Sequence, residues 1–189
     1  MIYSFVISNN GYPFAFPLQR SISSCTNIKN STHIPSTMGI ETTIKTPLPK
    51  GVDPSTVTKL LHDHETYIRI TCPQLISYSQ VSGPRSVAPI DTPCVFEVTD
   101  RRLTGQTTFK LTLTNRADGI DSRVDGKTPT GAMVIRTRWR VRGGNGDVGC
   151  IEEEVEIESN IIVKKMVKGS IDKGHPEYHQ NFLAEAAKA

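Results

Sequence analysis

The chain has few of the features that mark a familiar reaction. Its four cysteines, Cys25, Cys72, Cys94 and Cys150, form no Cys-x-x-Cys pair and have no accompanying histidine cluster at zinc spacing. That argues against a zinc module and a disulfide framework, and the expectation is scattered, reduced thiols in a cytoplasmic protein. No apolar run approaches the roughly 20 residues that cross a bilayer, so integral membrane association is not expected. There is no Gly-x-Ser-x-Gly elbow and no nucleophile–base–acid set. Gly143-Gly-Asn-Gly146 is glycine-rich only in composition: it joins two strands and opens no helix, so it cannot cradle phosphate. No cofactor and no metal ion is expected. Aromatic residues make up only 6% of the chain, and Tyr3, Phe5, Tyr12, Phe14 and Phe16 crowd into its start. The remainder suits an aliphatic guest better than a flat aromatic one.

An excess of one charge is also missing. The net charge is +3, and residues 1–37 hold Arg20 and Lys29 with no acid, leaving 20 basic against 19 acidic residues from Met38 onward. The pI of 8.7 is therefore partly a property of the start of the chain. Nucleic-acid binding is not expected. Residues 1–37, rich in Ser, Asn and Thr after the aromatic cluster, read as a poorly ordered extension, with Met38 as an alternative start and residues 38–189 as one domain.

Two alternating stretches carry the most information. Met133 to Arg142 places Arg136, Arg138, Arg140 and Arg142 on even positions, and Ile151 to Ser159 does the same with Glu152, Glu154, Glu156 and Glu158. Period two is the signature of a strand with two unlike faces. Gly143 to Gly149 between them is hairpin-loop chemistry. Folding the pair sets arginines against glutamates on the outer face. Met133, Ile135, Thr137, Trp139 and Val141, with Ile151, Glu153, Val155 and Ile157, then face inward.

The rest of the pattern fills in around that hairpin. Ile40 to Thr46 alternates as a first strand. Asp53-Pro54 opens a helix whose apolar face carries Val57, Leu60, Leu61, His64 and Ile68 and which ends at Cys72-Pro73. Leu75–Val81, Cys94–Asp100, Gln106–Asn115 and a short Ile120–Val124 read as further strands, with Ser82 to Pro93 as a loop. Residues 161–188 form a long helix with an apolar stripe through Val163, Val167, Ile171, Tyr178 and Phe182 and a kink expected near Lys173, caused by Pro176. A seven-stranded antiparallel sheet cannot cover its own inner face, and a long amphipathic helix laid across it would do so. This is the α+β helix-grip arrangement, in which the gap between sheet and helix forms a ligand cavity.

Thr46-Pro-Leu-Pro49, Leu60-Leu-His-Asp-His-Glu65 and Asn160-Ile-Ile-Val-Lys-Lys-Met-Val-Lys168 resemble segments of a fungal protein family related to the START-like, Bet v 1-like (SRPBCC) superfamily. The resemblance runs from about Ile40 to Ala186. It departs at Cys72-Pro-Gln-Leu75 and in a short connection from Ser77 to Cys94, both at the expected cavity rim. It implies an apolar small-molecule ligand and no particular reaction or catalytic residue.

Two residues invite chemistry. His64 shares the helical stripe while His62, two positions away, does not, so the pair cannot share a metal. His64 reads as a hydrogen-bonded core histidine or as a proton carrier at the cavity floor. Glu153 is the one acid on the inward register. It is either a strand-end residue in solvent or a cavity carboxylate with a raised pKa. Phe96, Phe109, Leu111, Ile135, Thr137, Trp139, Val155, Ile171, His175, Tyr178 and Phe182 are the expected ligand-facing set, with Trp139 able to donate through its indole N–H and His175 and Tyr178 at the rim. The expected function is binding of a terpenoid, polyketide or lipid-like molecule; the alternative is a cofactor-free cyclase, isomerase or dehydratase of fungal secondary metabolism.

Overall fold

Each end of the described chain is pinned by the same strand. The computed structural model describes residues 41–102, 105–128, 131–143 and 149–188; the expectations for residues 1–37 and for most of the Gly143–Gly149 loop lie outside them. The elements are β1 (Thr42–Pro47), α1 (Pro54–His62), α2 (His64–Thr71), β2 (Leu75–Ser82), β3 (Pro93–Arg102), β4 (Gly105–Arg116), β5 (Gly119–Thr128), β6 (Gly131–Arg142), β7 (Cys150–Glu158) and α3 (Ile161–Ala186). The strands form one antiparallel sheet in the order β1-β7-β6-β5-β4-β3-β2. β7 therefore pairs with the first strand and leads directly into the last helix.

The register of the β6–β7 hairpin is the one the alternation predicts. Arg136, Arg138 and Arg140 stand opposite Glu156, Glu154 and Glu152. The side chains then choose their own partners: Arg138 bridges Glu154 and Glu156, Arg136 reaches Glu158, and Arg140 and Arg142 turn to Asp118 and Asp121 at the β4–β5 turn. That turn needs a glycine. A Cβ on Gly119 would collide with the carbonyl oxygen of Trp139 on the neighbouring strand. β5 is ten residues long, not the short strand expected, because its pairing continues past Val124 through Gly126, which leaves room for Met133 and Phe109.

The helical segment after Asp53 is two helices, not one. Asp53 caps α1 through Ser55 N, with Pro54 at the first helical position. At Asp63 the backbone is extended (ψ 94°) and the carboxylate accepts from Glu65 N, Thr66 N and Thr66 Oγ1. An aspartate that captures the next N–H groups competes with helix continuation. Pro176 does not end the helix: α3 runs unbroken from Ile161 to Ala186. Packing of the turns on either side, through Ile171, His179 and Phe182, outweighs the missing hydrogen bond.

The interior divides into two apolar clusters. The larger joins α1, α2 and the end of α3 to β3–β6, through Val57, Leu61, Ile68, Phe96, Val98, Leu113, Trp139 and Phe182. The smaller holds Val155, Ile157, Val167 and Ile171. The functional geometry lies at the seam between them.

Candidate functional site

The inner row of β7 runs Ile151, Glu153, Val155, Ile157, all buried. α3 crosses it with Val167 and Ile171 against one end and Phe182 and Leu183 at the other cluster. Where the apolar row of β7 is interrupted by Glu153, the helix is interrupted by two histidines one turn apart. His175 Nδ1 lies 2.8 Å from Glu153 Oε1, and His179 Nε2 lies 3.3 Å from Oε2. His179 Nδ1 is 2.9 Å from Thr46 Oγ1 on β1. Helical spacing of four puts both rings on one face, and the strand's period of two puts Glu153 under them.

The partners assign the tautomers. A carboxylate only accepts, so His175 donates from Nδ1 and His179 from Nε2. His179 Nδ1 is then free to accept the Thr46 hydroxyl proton. Glu153 and His179 are both completely buried, while the His175 side chain is 19% exposed. Burial alone would push the Glu153 carboxyl up; hydrogen bonds and charge from His175 and His179 overcome it and hold the group below its ordinary value. Glu153 is thus neither in solvent nor raised in pKa, which corrects both sequence-based readings. It is a buried carboxylate kept ionised by two imidazoles.

Around this triad the interior is polar where apolar packing is expected. Trp139 lies tilted against His179 at 4.5 Å between centroids and meets Phe182 and Tyr67 edge-on. Its indole N–H, expected to donate, has no partner among the described residues. The Tyr67 hydroxyl sits beside Ser122 and Thr137, which are joined to each other at 2.7 Å, and burial pushes that phenol far above its usual range. A second buried acid, Asp100 on the inner face of β3, leaves Oδ1 without a partner; burial raises its pKa against the pull of Arg102. Tyr178 lies within electrostatic reach of Cys72, Asp100 and Glu153, and burial first, then those groups, push it up to about 12.

The sheet side of the seam is only partly covered. Val124 stands opposite Ile135, and Gly126 opposite Met133. Phe109 and Val124 pack on the larger cluster, Met133 and Ile135 on the smaller. All four point inward yet remain half-buried. His175 and Tyr178, with rings 5.1 Å apart, are the half-buried members of the helix face above.

The expected ligand-facing residues therefore separate. Phe109, Ile135, His175 and Tyr178 are at the partly open seam; Phe96, Leu111, Thr137, Trp139, Val155, Ile171 and Phe182 are buried by protein. His64 is not brought to Glu153. It stands at the start of α2, where Nε2 meets Asn115 Oδ1 at 3.0 Å and the ring meets Phe96 edge-on, and burial keeps its pKa below the usual value. His62, expected to point away, instead donates to the carbonyls of Arg116 and Gly119. Both histidines tie the helical segment to the β4–β5 hairpin. His179, Thr46, Tyr67 and Asp100 were missed from the sequence. His175-Pro-Glu-Tyr-His179 carried a readable signal, two histidines at helical spacing on the inward face. Among the described residues no group of His, Cys, Asp and Glu is disposed to hold a metal ion.

A family described as a domain of unknown function, DUF7053, matches residues 36–188. The chain belongs to that family. No curated protein matches it in sequence. Among solved structures, this DUF7053 domain is similar to the hypothetical protein jhp0584 from Helicobacter pylori, with a TM-score of 0.59, 11% identity, and coverage of 85% of this chain and 99% of the other. It is similar to the Zhui aromatase/cyclase from Streptomyces sp. R1128, with a TM-score of 0.58, 12% identity, and coverage of 78% and 93%. Ara h 8.0201 follows with a TM-score of 0.50, 15% identity, and coverage of 76% and 98%. At these identities the likeness is one of fold: a curved seven-stranded antiparallel sheet gripping a C-terminal helix, the START-like, Bet v 1-like architecture. Among the described residues no helix is long and apolar enough to cross a membrane.

Proposed function

We propose that this DUF7053 domain binds a hydrophobic small molecule, terpenoid, polyketide or lipid-like, along the seam between its two apolar clusters. One observation carries the reading: Phe109, Val124, Met133 and Ile135 lie on the concave face of the sheet, directed at the helix, yet remain half-buried. Apolar side chains on an inner face are normally covered, and an incompletely covered concave apolar surface with a few polar groups is the usual form of a ligand site. Trp139, Leu111 and Thr137 form the buried floor. The arginine row meets carboxylates across the outer face, so nucleic acid is not the partner we propose, and we place the protein in the cytoplasm.

Native mass spectrometry after mild purification tests the reading through a retained guest, and titration with anilinonaphthalenesulfonate gives a quantitative form. The dye is expected to bind the wild type and to bind Ile135→Lys at least about tenfold more weakly, a loss of about 1.4 kcal/mol. Equal binding by a folded Ile135→Lys would place the guest elsewhere.

A second reading has its own support in the ionised, buried Glu153 joined to a partly exposed histidine. It is a cofactor-free cyclase, isomerase or dehydratase, for which the Zhui aromatase/cyclase offers a fold-level analogy. Fungal secondary metabolism is the setting we propose for it. Incubation with linear precursors would reveal such activity as a product stereochemistry different from that of the spontaneous reaction.

A further inference from the structure

The histidine pair on α3 is asymmetric. His179 is fully buried and both of its ring nitrogens are engaged, one by Glu153 and one by Thr46. His175 uses only Nδ1; Nε2 has no hydrogen-bond partner among the described residues, and the ring is partly exposed. The two nitrogens of an imidazole diverge, so an Nδ1–H held by a carboxylate directs Nε2 away from it. In this tautomer Nε2 carries a lone pair. A buried carboxylate behind a histidine orients the ring and stabilises the imidazolium that forms when Nε2 takes a proton. Glu153 is in turn immobilised by His179, and His179 by Thr46, so three elements, β1, β7 and α3, fix one ring.

We infer that His175 is the general base of this site, that Glu153, His179 and Thr46 are its positioning residues, and that its substrate is a hydrophobic carbon acid such as an enolisable ketone. The inference rests on the ligand site proposed above. In the step, a C–H bond next to the carbonyl breaks and its proton goes to His175 Nε2. The electron pair of that bond forms the enolate, whose negative charge rests on the carbonyl oxygen. Where the ketone carries a β,γ double bond the enolate is a dienolate, and return of the proton from Nε2 to its γ-carbon gives the conjugated isomer, with nothing oxidised or reduced. Tyr178, whose ring lies 5.1 Å from that of His175 and which stays protonated across the physiological range, supplies a phenol able to donate to that oxygen. The other titratable neighbours are few: Asp172 one turn earlier on α3, which feels the charge of His175, and Tyr67 from α2, which feels that of Glu153.

The test uses the full chain and nitrobenzisoxazole, an apolar carbon acid that opens to a coloured cyanonitrophenolate when a base removes its C–H proton. The wild type is expected to exceed free imidazole at equal concentration by roughly 10²-fold. His175→Ala is expected to fall to that background. Glu153→Gln, which keeps an acceptor but loses the charge, is expected to be slower, with the inflection of its pH–rate profile moved to lower pH. Nitrogen-15 NMR of the wild type is expected to show His175 protonated at Nδ1, a readout that needs no variant to fold. A wild-type rate no greater than that of imidazole, an unchanged rate in His175→Ala, or a neutral His175 protonated at Nε2 would each overturn the inference. Anilinonaphthalenesulfonate binding separates the two proposals: dye bound at the seam with no base activity leaves the ligand site standing, and loss of both removes it.

Discussion

Five glutamates sit in one strand, and they divide into two regions with different physics. Glu152, Glu154, Glu156 and Glu158 face outward among arginines and a lysine. Glu153 faces inward between two histidines. On the outer face most pairs keep access to water, so each contributes little and the array chiefly sets register. On the inner face, desolvation would neutralise the acid unless the fold supplied donors, and α3 supplies two. The same residue type, one position apart, is a weak surface contact in one case and a fixed, costly and chemically poised group in the other.

The comparison can be broken most forcefully at Glu153. Replacing it with alanine strands one fully buried and one partly buried imidazole donor, and the expected loss is roughly 3–5 kcal/mol, read as a shift in urea midpoint at unchanged slope. The next effect separates two arginines of the same outer row. Arg138→Ala leaves Glu156, whose side chain is only 4% exposed, without its bridge, and about 1–3 kcal/mol is expected from an unsatisfied buried acceptor. Arg136→Ala removes an exposed contact to Glu158 and is expected to cost under about 1 kcal/mol. Equal effects at the two positions would mean that burial of Glu156 does not matter.

Acid gives the third contrast. Because the folded protein holds the Glu153 carboxyl below its unfolded value, its stabilisation is full above the ordinary carboxylate range and is lost as pH falls through the depressed folded pKa. Urea unfolding from neutral pH down to about pH 3 is therefore expected to show wild type and Glu153→Gln converging in acid. A constant difference across that range would remove the ionised state from the argument.

Much of this was legible in the residues themselves. Period two in β6 and β7 announced the hairpin, its register and the inward position of Glu153, because alternation is a local property of an extended chain. The long amphipathic C-terminal helix and the need to cover one sheet face led to the architecture. Other features were hidden. Asp63 looked like a helical residue because the apolar spacing runs on past it, and only the structure shows its carboxylate capturing the Glu65 and Thr66 N–H groups and parting the two helices. His64 looked more promising than His179 because it lies in a recognisable cluster of histidines, whereas His179 becomes a partner of Glu153 only once a helix is laid over a strand 26 residues earlier.

By itself, then, the sequence determined which side chains share a face, and from that the sheet, its covering helix and the charged outer grid; these follow from backbone periods that each segment carries alone. Only the tertiary structure decided what Glu153 meets, which apolar residues are sealed and which stay open at the seam, and which nitrogen of His175 is left unengaged. Those depend on contacts between β1, β7 and α3, elements far apart along the chain, and no local pattern encodes a contact whose two halves lie in different segments.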